Sequence, residues 1–201
     1  MKRNAALVVM GAWLAGSICV SVVATQNFYT IDRLLAERSS PAFTAVVDRL
    51  GAPQARELLR YLSSELNRLY FQLWNGAQLV LGALALWLVT DSRHRDAANR
   101  RVQSGIVVML AIVVFMLVYL TPAIVMLGRS LDFVPRDPAP SSLQRFWILH
   151  AAFTSLELIK LALGACVAFW IGTRGQSAAA LHVSAGPTHG SAPAAPAESE
   201  G

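Results

Sequence analysis

Charge is scarce in this sequence. Asp, Glu, Lys and Arg make up 14% of its 201 residues, well short of the roughly 25% of a soluble domain. Four long stretches carry almost none of it, which excludes a water-soluble globule with one continuous polar surface. A hydrophobic content of 55%, with five Trp and eight Phe, excludes disorder over most of the length. Cysteine is nearly absent. Cys19 and Cys166 lie inside apolar stretches with no CxxC, so the chain builds neither a disulfide framework nor a zinc site, and no metal is expected. Motifs of catalysis are missing as well: there is no GxSxG, P-loop, HExxH or dinucleotide fingerprint. A non-enzymatic protein is expected. His150 is the one histidine in an apolar stretch, so bis-His haem ligation would need a dimer, and no cofactor is expected. The net charge of +5 flanks apolar stretches, which argues against a nucleic-acid partner and for contact with the lipid bilayer.

What is present is length of apolar run. A spanning helix needs about 20 mostly apolar residues, and four segments qualify, roughly 5–25, 70–90, 104–127 and 147–172. The expected fold is all-α, a polytopic membrane four-helix bundle. The first segment has a rival reading as a secretory signal cleaved after Val22-x-Ala24. Its apolar run exceeds the 7–15 residues of a typical signal core, which favours an uncleaved span.

Residues 26–69 predict an amphipathic helical insertion outside the membrane. Phe28, Ile31, Leu34 and Leu35 recur at helical spacing until Ser39-Ser40-Pro41 interrupts them. A short helix over about 42–50 ends at Gly51, which suits a left-handed C-terminal position. Pro53 then fits the first turn of a new helix, in which Leu59, Leu62, Leu66, Leu69 and Leu73 form a stripe that needs a partner. With no breaker before the second span, one helix of roughly 38 residues, about 57 Å long, is expected. Pro122 is expected to bend the end of the third span. Pro135, Pro138 and Pro140 mark residues 129–145 as an irregular connector, and residues 173–201, rich in Ala, Pro, Gly and Ser, read as a disordered tail.

Arginine density points to an orientation. Residues 91–103 pack four arginines into a short turn, while 26–69 spread six over a long segment. With Lys2 and Arg3 before the first span, this places both termini in the cytoplasm. Lysine occurs only at Lys2 and Lys160, and with the alanine-rich composition this resembles a high-GC bacterial genome, hence a cytoplasmic (inner) membrane. Trp147 and Trp170 stand 23 residues apart, about 35 Å along a helix, as two interfacial belts would require. Trp13 lies too deep for a belt and is expected to pack against another helix.

The fourth span holds the informative cluster. His150, Thr154 and Glu157 share one helix face at +4 and +3, with Lys160 beside Glu157. The midpoint between the two belt tryptophans is near residue 159, so Glu157 and Lys160 lie near mid-membrane, where an ionised group costs about 2.5–3.5 kcal/mol. They must face other helices or water. Three roles stay open for them: an ion pair that fixes helix packing, a proton or ion path through Glu157, or charges that meet a partner subunit. Gln72, Asn75 and Gln78 on the second span can hydrogen-bond across helices to Glu157 or His150. Gly164, Ala168 and Gly172 repeat every four residues and permit close helix approach, either within the bundle or in a homo-oligomer. Ser17, Ser21 and Thr25 make a similar stripe on the first span.

Phe146-Trp147-Ile148-Leu149-His150, followed by Thr154-Ser155 and Glu157, resembles a small four-span membrane family catalogued as a domain of unknown function, with eukaryotic transmembrane-protein relatives. The family shares an F-x-x-x-H start to the last helix and a long first extramembrane segment. This chain departs from it in carrying Glu157 where a polar amide would be expected. The resemblance implies a role in export or tolerance of small toxic compounds. The residues themselves favour a scaffold or accessory subunit, with a small transporter or proton-coupled exporter using Glu157 and Lys160 as the alternative.

Overall fold

The computed structural model describes residues 2–90, 97–135 and 137–184, and the side chains of all these except 97–98 and 174–184. Among the described residues six α-helices follow in order: α1 (Lys2–Glu37), α2 (Pro41–Leu50), α3 (Ala52–Thr90), α4 (Ala97–Phe115), α5 (Thr121–Arg129) and α6 (Ser141–Ser184). A π-helical turn over Met116–Leu120 joins α4 to α5. The candidate spans lie in Lys2–Glu37, Ala52–Thr90, Asn99–Arg129 and Ser141–Thr173. The chain is a polytopic membrane protein with an all-α fold. Large apolar side chains such as Val8, Val80, Val118 and Phe169 stand on the outside of the bundle, where acyl chains rather than water solvate them.

The four spans close into a ring: α1 packs on α3, α3 on α4, α4 on α6, and α6 back on α1. One end, here the proximal end, carries Lys2, Thr90, Ala97 and Thr173; the distal end carries α2 and the α5–α6 connector. Apolar side chains fill the proximal half, among them Met10, Trp13, Ala85, Ile106, Met109, Val113, Val167 and Ile171. A smaller cluster of Met116, Leu120 and Phe153 fills part of the distal half.

Nothing in the sequence after Thr25 breaks a helix until Ser39, and α1 accordingly runs on to Glu37 as one element. The first span and the start of the expected insertion are therefore continuous. The distal turn forms as its residues dictate. Ser40 caps α2 by accepting the Phe43 N–H, and Pro41 occupies the first turn. Gly51 closes α2 with φ 84° and ψ 141°, a positive-φ, extended conformation open essentially to glycine. It is not the left-handed helical cap that was expected. Asp32 and Asp48 tie the hairpin together through Arg56 at 2.5 Å and Arg38 at 2.7 Å.

α3 has the expected length, 39 residues, but its leucine stripe does not face α1. Ala55 and Ser63 are the buried positions on its distal part, while Leu62, Leu69 and Leu73 are exposed. The reason is polar. Ser63 Oγ donates to the Asn27 carbonyl, Asn27 Nδ2 to Asn67 Oδ1, and Asn67 Nδ2 to the Ala24 carbonyl, so α1 selects the small polar face of α3.

Pro122 does more than bend the third span. In a regular α-helix its ring would clash with the carbonyl four residues back. The helix widens ahead of it instead, and the Thr121 N–H donates to the Met116 carbonyl across the π turn. Residues 130–135 and 137–140 are irregular, as expected from the prolines, but the stretch is shorter than the 129–145 expected, because α6 already begins at Ser141. α6 continues past Thr173 to Ser184, so the helix extends into the segment expected to be a tail. Residues 185–201 and the Arg93–His94–Arg95 turn lie outside the described residues.

Candidate intramembrane site

Helical spacing places Glu157 and Lys160 side by side on α6, and tertiary packing turns both inward. Lys160 is 1% exposed and Glu157 12%, with Nζ 2.7 Å from Glu157 Oε1. Lys160 also donates to Gln78 Oε1 on α3, across the centre of the ring. That same oxygen accepts the indole N–H of Trp13 from α1 at 3.0 Å. Gln78 Nε2 donates onward to Asn75 Oδ1 at 3.3 Å, and Asn75 Nδ2 to Thr121 Oγ1 at 3.2 Å. Every span contributes to this chain of bonds. Gln78 is completely buried and Asn75 nearly so, and the amides offer the ammonium the acceptors that hydrocarbon lacks.

One atom is left over. Glu157 Oε2 is buried and has no hydrogen-bond partner among the described residues. Glu157 lines a cavity of about 740 Å³ whose walls include Thr121, Thr154, Phe153, Phe71 and His150, reaching Tyr61, Asp132 and Phe133 at the distal end. The proximal apolar cluster closes the bundle below Lys160.

The distal wall is held by ions and rings. Arg68 on α3 pairs with Glu65 on its own helix and with Asp132 of the connector at 3.0 Å. Tyr61 meets Phe133 with ring centroids 5.2 Å apart. Arg60 pairs with Glu57 at 3.3 Å.

The predicted residues divide. Asn75, Gln78, Glu157 and Lys160 come together. Gln72 does not. Two steps of three residues rotate it about 120° from Gln78, and it lies exposed on the surface. His150 and Thr154 share the Glu157 face, but two turns separate His150 from the carboxylate, about 10 Å. The imidazole stacks on Phe146 and meets Trp147 edge-on, with centroids 5.8 and 5.9 Å away. Thr154 returns its hydroxyl to the His150 carbonyl at 3.0 Å. Both line the cavity without joining the bonded cluster.

The small-residue stripe on α6 also divides. Gly164 is buried, where a Cβ would meet Leu14 Cδ2 at 2.7 Å and Met109 Cε at 3.0 Å, while a Cβ on Gly172 would meet nothing within 4 Å. Ala168 packs on the proximal cluster. On α1, Ser17 Oγ accepts the Trp74 indole N–H at 3.2 Å, while Ser21 and Thr25 line the cavity.

Sequence reasoning missed Thr121, the hydrogen bond of Trp13, and the Arg68–Asp132 clamp. Thr121 had one available signal, its place directly before Pro122 near the end of the third span. Among the described residues no cluster of His, Cys, Asp and Glu is arranged to hold a metal. No family model, curated protein or solved structure matches the chain.

Proposed function

We propose that this protein is a small proton-coupled transporter whose working group is Glu157. One observation carries the reading: a carboxylate half-paired with Lys160 lines a cavity that reaches the distal end, while the proximal half is closed by apolar packing. An ion pair serving only as a brace has no need of an unsatisfied buried oxygen in a residue that lines a cavity. Protonation of Glu157 would remove one partner from Lys160 and leave the ammonium held by Gln78. That change of charge at the centre of the ring would bias the four helices toward opening at the other end. The resemblance carried by Phe146–His150 implies export and points the same way.

In this reading, which the arginine density of the sequence supports, both chain termini face the cytoplasm of a bacterial inner membrane and the cavity opens outward. With Cys19→Ala and Cys166→Ala as background, a membrane-impermeant maleimide should label Ser39→Cys in intact cells and spare Arg3→Cys. The transport reading is tested in proteoliposomes holding a pH-sensitive dye and challenged with neutral, anionic and cationic organic solutes. At least one class should shift the lumenal pH in wild-type vesicles and leave it unmoved in Glu157→Gln. No solute-driven shift, or one that survives Glu157→Gln, overturns the reading.

A second reading, a scaffold or accessory subunit, draws support from Leu58 and Leu62. Both are exposed on the part of α3 expected beyond the bilayer, where an apolar face favours a partner.

A further inference from the structure

We infer that the cavity takes an amphipathic organic cation with aromatic or alkyl substituents, an inference that rests on the transport reading and names its substrate class. Size comes first. At about 740 Å³ the cavity lies within the 300–1,000 Å³ of pockets that enclose drug-sized molecules. It is far larger than a proton path or an inorganic ion requires.

The walls then specify chemistry. Phe28, Tyr29, Phe71, Phe146, Trp147 and Phe153 all contribute to the lining, and aromatic faces attract cations as well as apolar bodies. Trp147 is 55% exposed and Phe28 41%, so their rings are not consumed by packing.

The charges decide the sign. Two guanidinium groups line the cavity, and both are already engaged: Arg60 by Glu57, and Arg68 by Glu65 together with Asp132. An anion would have to compete with these carboxylates. Lys160 is spent on Glu157 and Gln78. A cation meets a different situation, because Glu157 keeps one buried oxygen without a donor. A turn of the Glu157 side chain would present that acceptor to a positive group lodged beneath the aromatic walls. Cation and proton would then contend for one carboxylate, which is the coupling that an exchanger needs. The ionisable groups in that contest are Lys160, bonded to Glu157 itself, and those that line the same cavity: His150 on α6, Tyr29 on α1, Glu57, Arg60, Tyr61 and Arg68 on α3, and Asp132 in the connector.

Tetraphenylphosphonium and tetraphenylborate test the sign directly, being alike in size and opposite in charge. Their binding to the full-length protein in lipid nanodiscs is measured by equilibrium dialysis. Tetraphenylphosphonium should bind saturably and tetraphenylborate should not, and Glu157→Gln should weaken the cation at least tenfold. Trp147→Ala, whose ring stands outside the core, should weaken it severalfold and serves if Glu157→Gln fails to fold. Absent cation binding, equal binding of both ions, or unchanged affinity in either folded variant overturns the inference. If a neutral or anionic solute nonetheless drives Glu157-dependent pH shifts in proteoliposomes, the transport reading survives and the substrate class alone fails.

Discussion

Glu157 and Lys160 make each other tolerable in a place where neither would be tolerated alone. Removing one partner of a buried pair leaves the other uncompensated and costs about 3–5 kcal/mol, whereas replacing both by uncharged groups of similar volume is close to neutral. Glu157→Gln should therefore lower stability by about 3 kcal/mol or more, and adding Lys160→Met should recover most of it, as measured by denaturant titration in mixed micelles. Gln78→Leu strips an acceptor from both Lys160 and Trp13, and about 2 kcal/mol should be lost on the same scale. The inward aim of the pair was legible from mid-span position and the cost of charge in lipid. Gln78 was legible only as one amide among three, because helical phase leaves open which of them faces the ring's centre.

At the scale of the element, spacing predicts a face and packing decides its use. Gly164 and Gly172 belong to one sequence stripe yet meet opposite surroundings. Gly164→Ala should destabilise by about 1–3 kcal/mol through overpacking against Leu14 and Met109, while Gly172→Ala should be neutral or stabilising by up to about 1 kcal/mol. Thermal unfolding of the two variants separates them. The π turn couples two further residues. If Pro122 sets the widened turn that presents Thr121 to Asn75, Thr121→Val and Pro122→Ala should be non-additive, with a coupling of about 0.5 kcal/mol or more in a double-mutant cycle. A proline in an apolar run signals a disturbance, but whether the helix kinks or widens depends on neighbours that no local pattern specifies. The leucine stripe of α3 shows the same limit. Its period is helical, yet Asn27 and the Ala24 carbonyl require polar partners, and they draw Ser63 and Asn67 to the interface instead.

For the molecule as a whole, the ring is tight at its proximal end and hollow at its distal end. The distal wall depends on a clamp between α3 and the connector. Arg68→Ala would leave Asp132, 17% exposed, without its guanidinium. Proteolysis within residues 130–140 should accelerate severalfold in that variant, with the spans still protected, since an opened connector exposes its backbone to the protease. A wild-type cleavage rate would mean that Tyr61 and Phe133 hold the wall by themselves.

The order of four spans, the short helix between the first two, the length of α3 and the burial of an acid–base pair were all determined by sequence. Each follows from one-dimensional quantities: apolar run length against bilayer thickness, helical period, and the energetic penalty on charge in hydrocarbon. The choice of Gln78 over Gln72, the separation of His150 from Glu157, the recruitment of Trp13 and Thr121, and the cavity itself were decided by tertiary structure. They depend on which faces of four helices meet, and that choice is settled by complementary packing and hydrogen bonding among residues up to 82 positions apart.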